Sequence, residues 1–172
     1  MQSVVGEAFR LAASEDKPTE KGFHMLSKDL VDDEPRTRLR KVGAPPCVLH
    51  VEDDQDFSSA LKLRLEAHGV AVVRAFDGAD AIRQSRKYAT DVVLLDFEMP
   101  HAKGDEVLKE LRENESTKNL PVIMLTGRDD RQLRQRMVEL GANGYLTKPL
   151  RFEDLRTQLA KHVDVLPRPS LS

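Results

Sequence analysis

From residue 46 onward, short apolar runs of strand length alternate with stretches whose apolar residues recur every three or four positions. The runs are 47–51, 70–75, 91–95, 121–125 and 144–147, each rich in Val, Ile or Leu. Between them, Phe57, Leu61 and Leu65 mark one helix face, Val107 and Leu111 a second, and Leu133, Met137 and Leu140 a third. Phe152, Leu155, Leu159 and Val163 give the same stripe after the last run. Gly69 and Gly141 stand where left-handed residues would close the first and fourth helices. The pattern predicts five β/α units.

Strands apolar on both faces and joined by helical crossovers form a parallel sheet covered on both sides. The expectation is therefore an α/β fold, a flavodoxin-like doubly wound five-stranded parallel sheet in the order 2-1-3-4-5. Its crossovers should be right-handed. Such a sheet carries its ligand crevice at the carboxyl ends of the first and third strands.

The texture changes at Ala44-Pro45-Pro46, which places a domain boundary there. Residues 1–45 read as an N-terminal extension, helical or partly disordered, 46–165 as the domain, and 166–172 as a C-terminal tail. Within the extension, Val5, Phe9 and Ala12, flanked by Val4, Ala8 and Leu11, predict a short amphipathic helix. Residues 32–41 set an acidic knot beside a basic one and read as a solvated linker.

Composition narrows the function. Hydrophobic residues make up 40% of the 172, enough for a globular core. The 27 basic and 29 acidic residues nearly cancel, so the electrostatic footprint of a nucleic-acid binder is absent. Cys47 is the single cysteine, which excludes an internal disulfide or a cysteine metal site and fits a reducing compartment. No run approaches 18 apolar residues, and Glu7 and Arg10 interrupt the mildly apolar start, so neither a membrane span nor a signal peptide is expected. A cytoplasmic protein with no membrane attachment is the resulting expectation.

The chemistry gathers at strand ends. Glu52, Asp53 and Asp54 follow the first run and Asp96 the third, so carboxylates converge on the crevice. Crowded acids repel one another, and a hard divalent cation relieves them. Magnesium suits such an incomplete cage, because it takes one or two carboxylates and keeps several waters. The five histidines are scattered, with no pair at metal-ligand spacing. Thr126 ends the fourth run and Lys148 the fifth, adding a hydroxyl and an ammonium to the same edge. A set of this kind can hold a phosphoryl group, with Asp96 as the nucleophile.

These motifs resemble the receiver domain of two-component response regulators, the CheY-like superfamily, over roughly residues 46–164. The resemblance rests on Val-Glu-Asp-Asp at 51–54, Leu-Leu-Asp-Phe-Glu-Met-Pro at 94–100, Gly104, Pro-Val-Ile-Met-Leu-Thr-Gly at 121–127 and Gly-Ala-Asn-Gly-Tyr-Leu-Thr-Lys-Pro at 141–149. It implies that Asp96 accepts a phosphoryl group from a histidine kinase or phosphotransfer protein. Glu52, Asp53, Asp96 and the backbone carbonyl of Glu98 would hold Mg2+. Lys148 would pair with the phosphoryl group and Asp96, Thr126 would hydrogen-bond it, and Tyr145 would be the switch aromatic. The Lys148–Pro149 bond is expected to be cis.

The resemblance further implies a phosphoacceptor rather than an enzyme in the ordinary sense, with self-catalysed phosphotransfer and slow loss of the phosphoryl group. Signalling would run through the face of the fourth helix, fifth strand and fifth helix to a downstream protein, and a homodimer is left open. About eight residues follow the last helix, so a stand-alone receiver is the expectation. Glu52 stands where many relatives have aspartate. Glu98 and Arg128 face each other across the expected mouth, where an ion pair would hinder attacking water. Arginines 128, 131, 134, 136, 151 and 156 would meet an acidic partner or their neighbours Asp129, Asp130, Glu153 and Asp154. Two other readings compete: a phosphorylation-independent interaction module, and a haloacid-dehalogenase-like phosphohydrolase, whose Asp-x-Asp is here Asp96-Phe97-Glu98. His50 reads as a core histidine and Cys47 as a small buried hydrophobe.

Overall fold

A computed structural model describes residues 44–100 and 103–164. The N-terminal helix, the linker and the C-terminal tail expected from the sequence lie outside these residues.

Five parallel strands, β1 (Cys47–Val51), β2 (Ala71–Ala75), β3 (Val92–Asp96), β4 (Val122–Thr126) and β5 (Gly144–Thr147), form one sheet in the order β2-β1-β3-β4-β5. The alternating helices are α1 (Gln55–Glu66), α2 (Gly78–Lys87), α3 (Gly104–Glu113), α4 (Arg131–Glu139) and α5 (Phe152–Leu159). The flavodoxin-like expectation is met. The registers pair His50 with Leu94, Asp96 with Leu125 and Thr126 with Thr147, which brings the ends of β1, β3, β4 and β5 to one edge.

The period-2 geometry of each strand divides the core in two. Leu49, Val51, Val93, Leu95, Val122 and Met124 pack under α2, α3 and α4, while Val48, Val92, Leu94, Ile123 and Leu125 pack under α1 and α5. Each fully buried leucine contributes about 1.5–3 kcal/mol relative to exposure. All five residues of β3 and of β4 are buried, so both strands are held on both faces.

Helix ends follow the local chemistry. Asp54, Asp77 and Asp130 cap α1, α2 and α4 by accepting backbone N–H groups of the first turn. Gly69 and Gly141 adopt φ of 75° and 94° where their helices close. The buried face of α2 is built from the small residues Gly78, Ala81 and Ser85 together with Ile82. Helix α5 ends at Leu159, yet Val163 still packs against the core beyond it. Cys47 is half-buried rather than buried, with its backbone N–H donating to Asp91 Oδ2 at 2.7 Å.

Candidate functional site

Asp96 and Thr126 are the last residues of their strands, one position further into the sheet than the apolar runs suggested. Both are buried, Asp96 at 2% exposure. Glu52 follows β1 and is 1% exposed, while Asp53 beside it is exposed. Carboxylate oxygens of Glu52, Asp53 and Asp96 lie within 4.8 Å of one another. Asp54, next in the chain, is occupied with capping α1 through its contacts to the N–H groups of Asp56 and Phe57.

Lys148 bridges two of the acids. Its Nζ stands 2.7 Å from Glu52 Oε2 and 3.2 Å from Asp96 Oδ1, and its charge lies 4.9 Å over the Phe57 ring. The contact with Asp96 is an ion pair without hydrogen-bond alignment, so Asp96 Oδ1 is buried with no hydrogen-bond partner. The Lys148–Pro149 bond is cis, as expected, and Lys148 N–H donates to the Thr126 carbonyl at 2.7 Å.

Burial raises the Glu52 carboxyl above its ordinary value, the Lys148 hydrogen bond opposes this, and the Asp96 charge adds to the rise. Burial on its own would lower the Lys148 ammonium, but the hydrogen bond to Glu52 and the charges of Asp96 and Glu52 outweigh it, and its pKa is raised. His50, two residues before Glu52, is fully buried and pushed down to about 3 by burial and by the charges of Lys148 and Arg74. It is the core histidine the sequence suggested, and it is neutral.

The mouth differs from expectation. Glu98 does not pair with Arg128. Its Oε2 accepts the Gly127 N–H at 2.9 Å, and Arg128 pairs with Asp130 at 3.1 Å. The Glu98 carboxylate therefore stands apart from the acidic cluster. Thr126 Oγ1 accepts the Arg128 N–H at 3.1 Å, and Tyr145 donates its hydroxyl to the Arg128 carbonyl at 2.7 Å with Arg134 over its ring. Arg134, Arg151 and Arg156 pair with Asp129, Asp154 and Glu153, so these arginines meet their own neighbours. Arg136 instead reaches Asp105 on α3, a partner no sequence spacing indicated. An open groove of about 740 Å³, bordered by Asp53, Glu98 and Arg128, adjoins the cluster at its exposed member, Asp53.

The donor set fits magnesium. Three carboxylates face one ammonium, all offered ligands are hard oxygens, and one buried carboxylate oxygen lacks a hydrogen bond. No histidine belongs to the cluster.

The model of the response regulator receiver domain matches residues 48–160. The chain belongs to this family. It is 30% identical over 138 residues to hybrid signal transduction histidine kinase D of Dictyostelium discoideum, covering 78% of this chain and 9% of that one. It is 34% identical over 108 residues to the phosphate regulon transcriptional regulatory protein PhoB of Escherichia coli, covering 63% and 47%. The receiver thus spans about half or less of the length of these curated relatives. Among solved structures, chemotaxis protein CheY4 of Vibrio cholerae matches with a TM-score of 0.66 and 31% identity, over 70% of this chain and all of that one. The receiver domain of Francisella response regulator 1452 matches with a TM-score of 0.63 and 31% identity, over 67% and 94%. Membership sets aside the phosphohydrolase reading. No helix among the described residues is long and apolar enough to cross a membrane.

Proposed function

We propose that this receiver accepts a phosphoryl group on Asp96 from a phosphohistidine of a histidine kinase or phosphotransfer protein. A carboxylate oxygen of Asp96 attacks phosphorus, the bond from phosphorus to the imidazole nitrogen breaks, and its electron pair leaves with the imidazole. Glu52, Asp53, Asp96 and the Glu98 backbone carbonyl would hold Mg2+, which when bound offsets charge on the phosphoryl oxygens. Lys148 supplies the second positive charge from a position already beside Asp96. Thr126, at the end of the neighbouring strand, donates its hydroxyl to a phosphoryl oxygen. The observation that carries this reading is the buried Asp96 oxygen without a hydrogen bond, set between acids and an ammonium.

Residues 46–165 would act as the phosphorylated unit, in the cytoplasm, where its kinase is expected. Movement of Thr126 toward the phosphoryl group would free Tyr145 to turn and reshape the face of α4, β5 and α5 for a downstream protein. Intact mass after incubation with acetyl phosphate tests the proposal. A Mg2+-dependent gain of one phosphoryl group is expected for wild type and none for Asp96→Asn. An unmodified wild type that keeps its fold would overturn it.

A further inference from the structure

We propose that His50 is a positioning residue of the phosphorylation site: its Nε2–H donates to the Glu52 carboxylate when Lys148 turns to the phosphoryl group. The inference rests on the reading of Asp96 and Lys148 above. Among the described residues, Lys148 Nζ is the one short donor to Glu52, at 2.7 Å on Oε2. The Asp54 N–H on Oε1 is long, at 3.4 Å. A phosphoryl group on Asp96 replaces the single carboxylate charge by up to two on the phosphoryl oxygens, within reach of the same ammonium. As Lys148 follows them, Glu52 Oε2 loses its short donor, and even with the other oxygen turned to Mg2+ a buried carboxylate oxygen is left unpaired, which is costly unless another donor replaces it.

His50 stands in that place. It is fully buried on β1, edge-on to Phe57, and its Nε2 has no hydrogen-bond partner. That nitrogen lies 4.0 Å from Glu52 Oε2, the same oxygen Lys148 holds. Closing to hydrogen-bond length needs a movement of about 1 Å. Glutamate, with one methylene more than aspartate, has the torsion to make it. The surroundings favour one tautomer from both sides. Buried Ser58 places its hydroxyl 3.4 Å from Nδ1, and a hydroxyl donating there leaves the proton on Nε2. The opposite tautomer would turn a lone pair toward the carboxylate. Ser58, His50 and Glu52 thus form a buried polar path from α1 to the acid cluster, and His50 offsets the consequence of carrying glutamate at position 52.

The test uses the full chain, with beryllofluoride and Mg2+ standing in for the phosphoryl group. Imidazole 15N shifts of wild type should report the Nε2–H tautomer, and that N–H signal should move downfield when beryllofluoride binds. His50→Leu, which keeps the volume without the donor, should weaken Mg2+-dependent beryllofluoride binding about tenfold. Its Mg2+ affinity without beryllofluoride should stay within about twofold. His50→Gln, which restores a neutral N–H near the same place, should recover most of the binding. An Nδ1–H tautomer overturns the proposal, as does equal beryllofluoride binding by wild type and His50→Leu. A loss shared equally by the leucine and glutamine variants would reduce His50 to a packing residue and overturn it too. If His50→Leu fails to fold, the wild-type tautomer and the glutamine variant still decide. Failure of wild type to bind beryllofluoride or take a phosphoryl group from acetyl phosphate would instead sink the reading of Asp96.

Discussion

Glu98 Oε2 accepts the Gly127 N–H at 2.9 Å and so ties the loop after β3 to the loop after β4. That amide follows Thr126 directly, and a backbone N–H freed there would be a useful donor to an incoming anion. The carboxylate holds it in advance and adds negative charge at the entrance. Glu98→Ala should therefore accelerate phosphorylation by acetyl phosphate, by several-fold and on the order of tenfold at most, since a single exposed charge contributes about 1 kcal/mol. The time course of intact mass checks this. An unchanged rate would mean that Glu98 yields the amide without cost.

Three carboxylates facing one ammonium make the site a stability liability that a cation relieves. A ligand that binds only the folded state stabilises by mass action, about 1.4 kcal/mol at ten times its Kd. For a domain of this size that corresponds to a Tm rise of about 3–6 °C. Magnesium at that excess should produce the shift in wild type, read by calorimetry against a sodium control of equal ionic strength. Asp53→Asn should lose most of it. Asp53 is the exposed member of the trio, so its replacement should leave the core intact.

The sheet and the site were legible for different reasons. Strands such as Val92–Asp96 announce themselves as apolar runs, and once the order is 2-1-3-4-5 the topology alone carries Glu52, Asp96, Thr126 and Lys148 to one edge. What the sequence left hidden was direction. Nothing in the spacing of Glu98 and Arg128 says that the carboxylate will prefer a backbone amide and the guanidinium Asp130. Arg136 meeting Asp105 across two helices is equally silent, because the pair depends on how α3 and α4 lie on the sheet. His50 was legible as core, but its aim toward Glu52 comes from the pleat of β1 and the register of α1.

Arg112 of α3 holds the opposite end of the sheet together. Its Nη2 and Nε donate to the Gly141 carbonyl at 2.8 and 3.1 Å, Nη1 donates to the Leu120 carbonyl at 3.0 Å, and Nη2 also reaches Asn143 Oδ1 at 3.0 Å. Burial lowers its pKa, a sign of how far the guanidinium is drawn out of water. A planar fork serves several carbonyls at once, and a lysine ammonium cannot. Arg112→Ala should cost about 2–4 kcal/mol and Arg112→Lys about half as much, measured by urea unfolding. Phosphorylation of whatever remains folded should proceed at the wild-type rate, because none of these contacts touches the crevice.

Gly104 opens α3 directly against the backbone of Asp96. A Cβ built there would stand 2.5 Å from the Asp96 carbonyl oxygen and 2.8 Å from Phe97 Cα, both backbone atoms that cannot swing aside. The Gly104 N–H already donates to the Phe97 carbonyl at 3.1 Å, so helix and strand end are fastened at their closest approach. Gly104→Ala must push α3 away from β3 or displace the peptide that carries Asp96. Overpacking of this kind costs about 1–3 kcal/mol. The displaced Asp96 also loses its setting beside Lys148, and misplacement by about 1 Å slows a positioned reaction about a hundredfold. The expected outcome is a folded protein with a lowered Tm whose phosphorylation by acetyl phosphate is slowed well beyond that of Arg112→Ala at a temperature where both are folded. Equal rates in the two variants would show that the crevice absorbs the shift, and that the close contact between α3 and the Asp96 peptide serves packing alone.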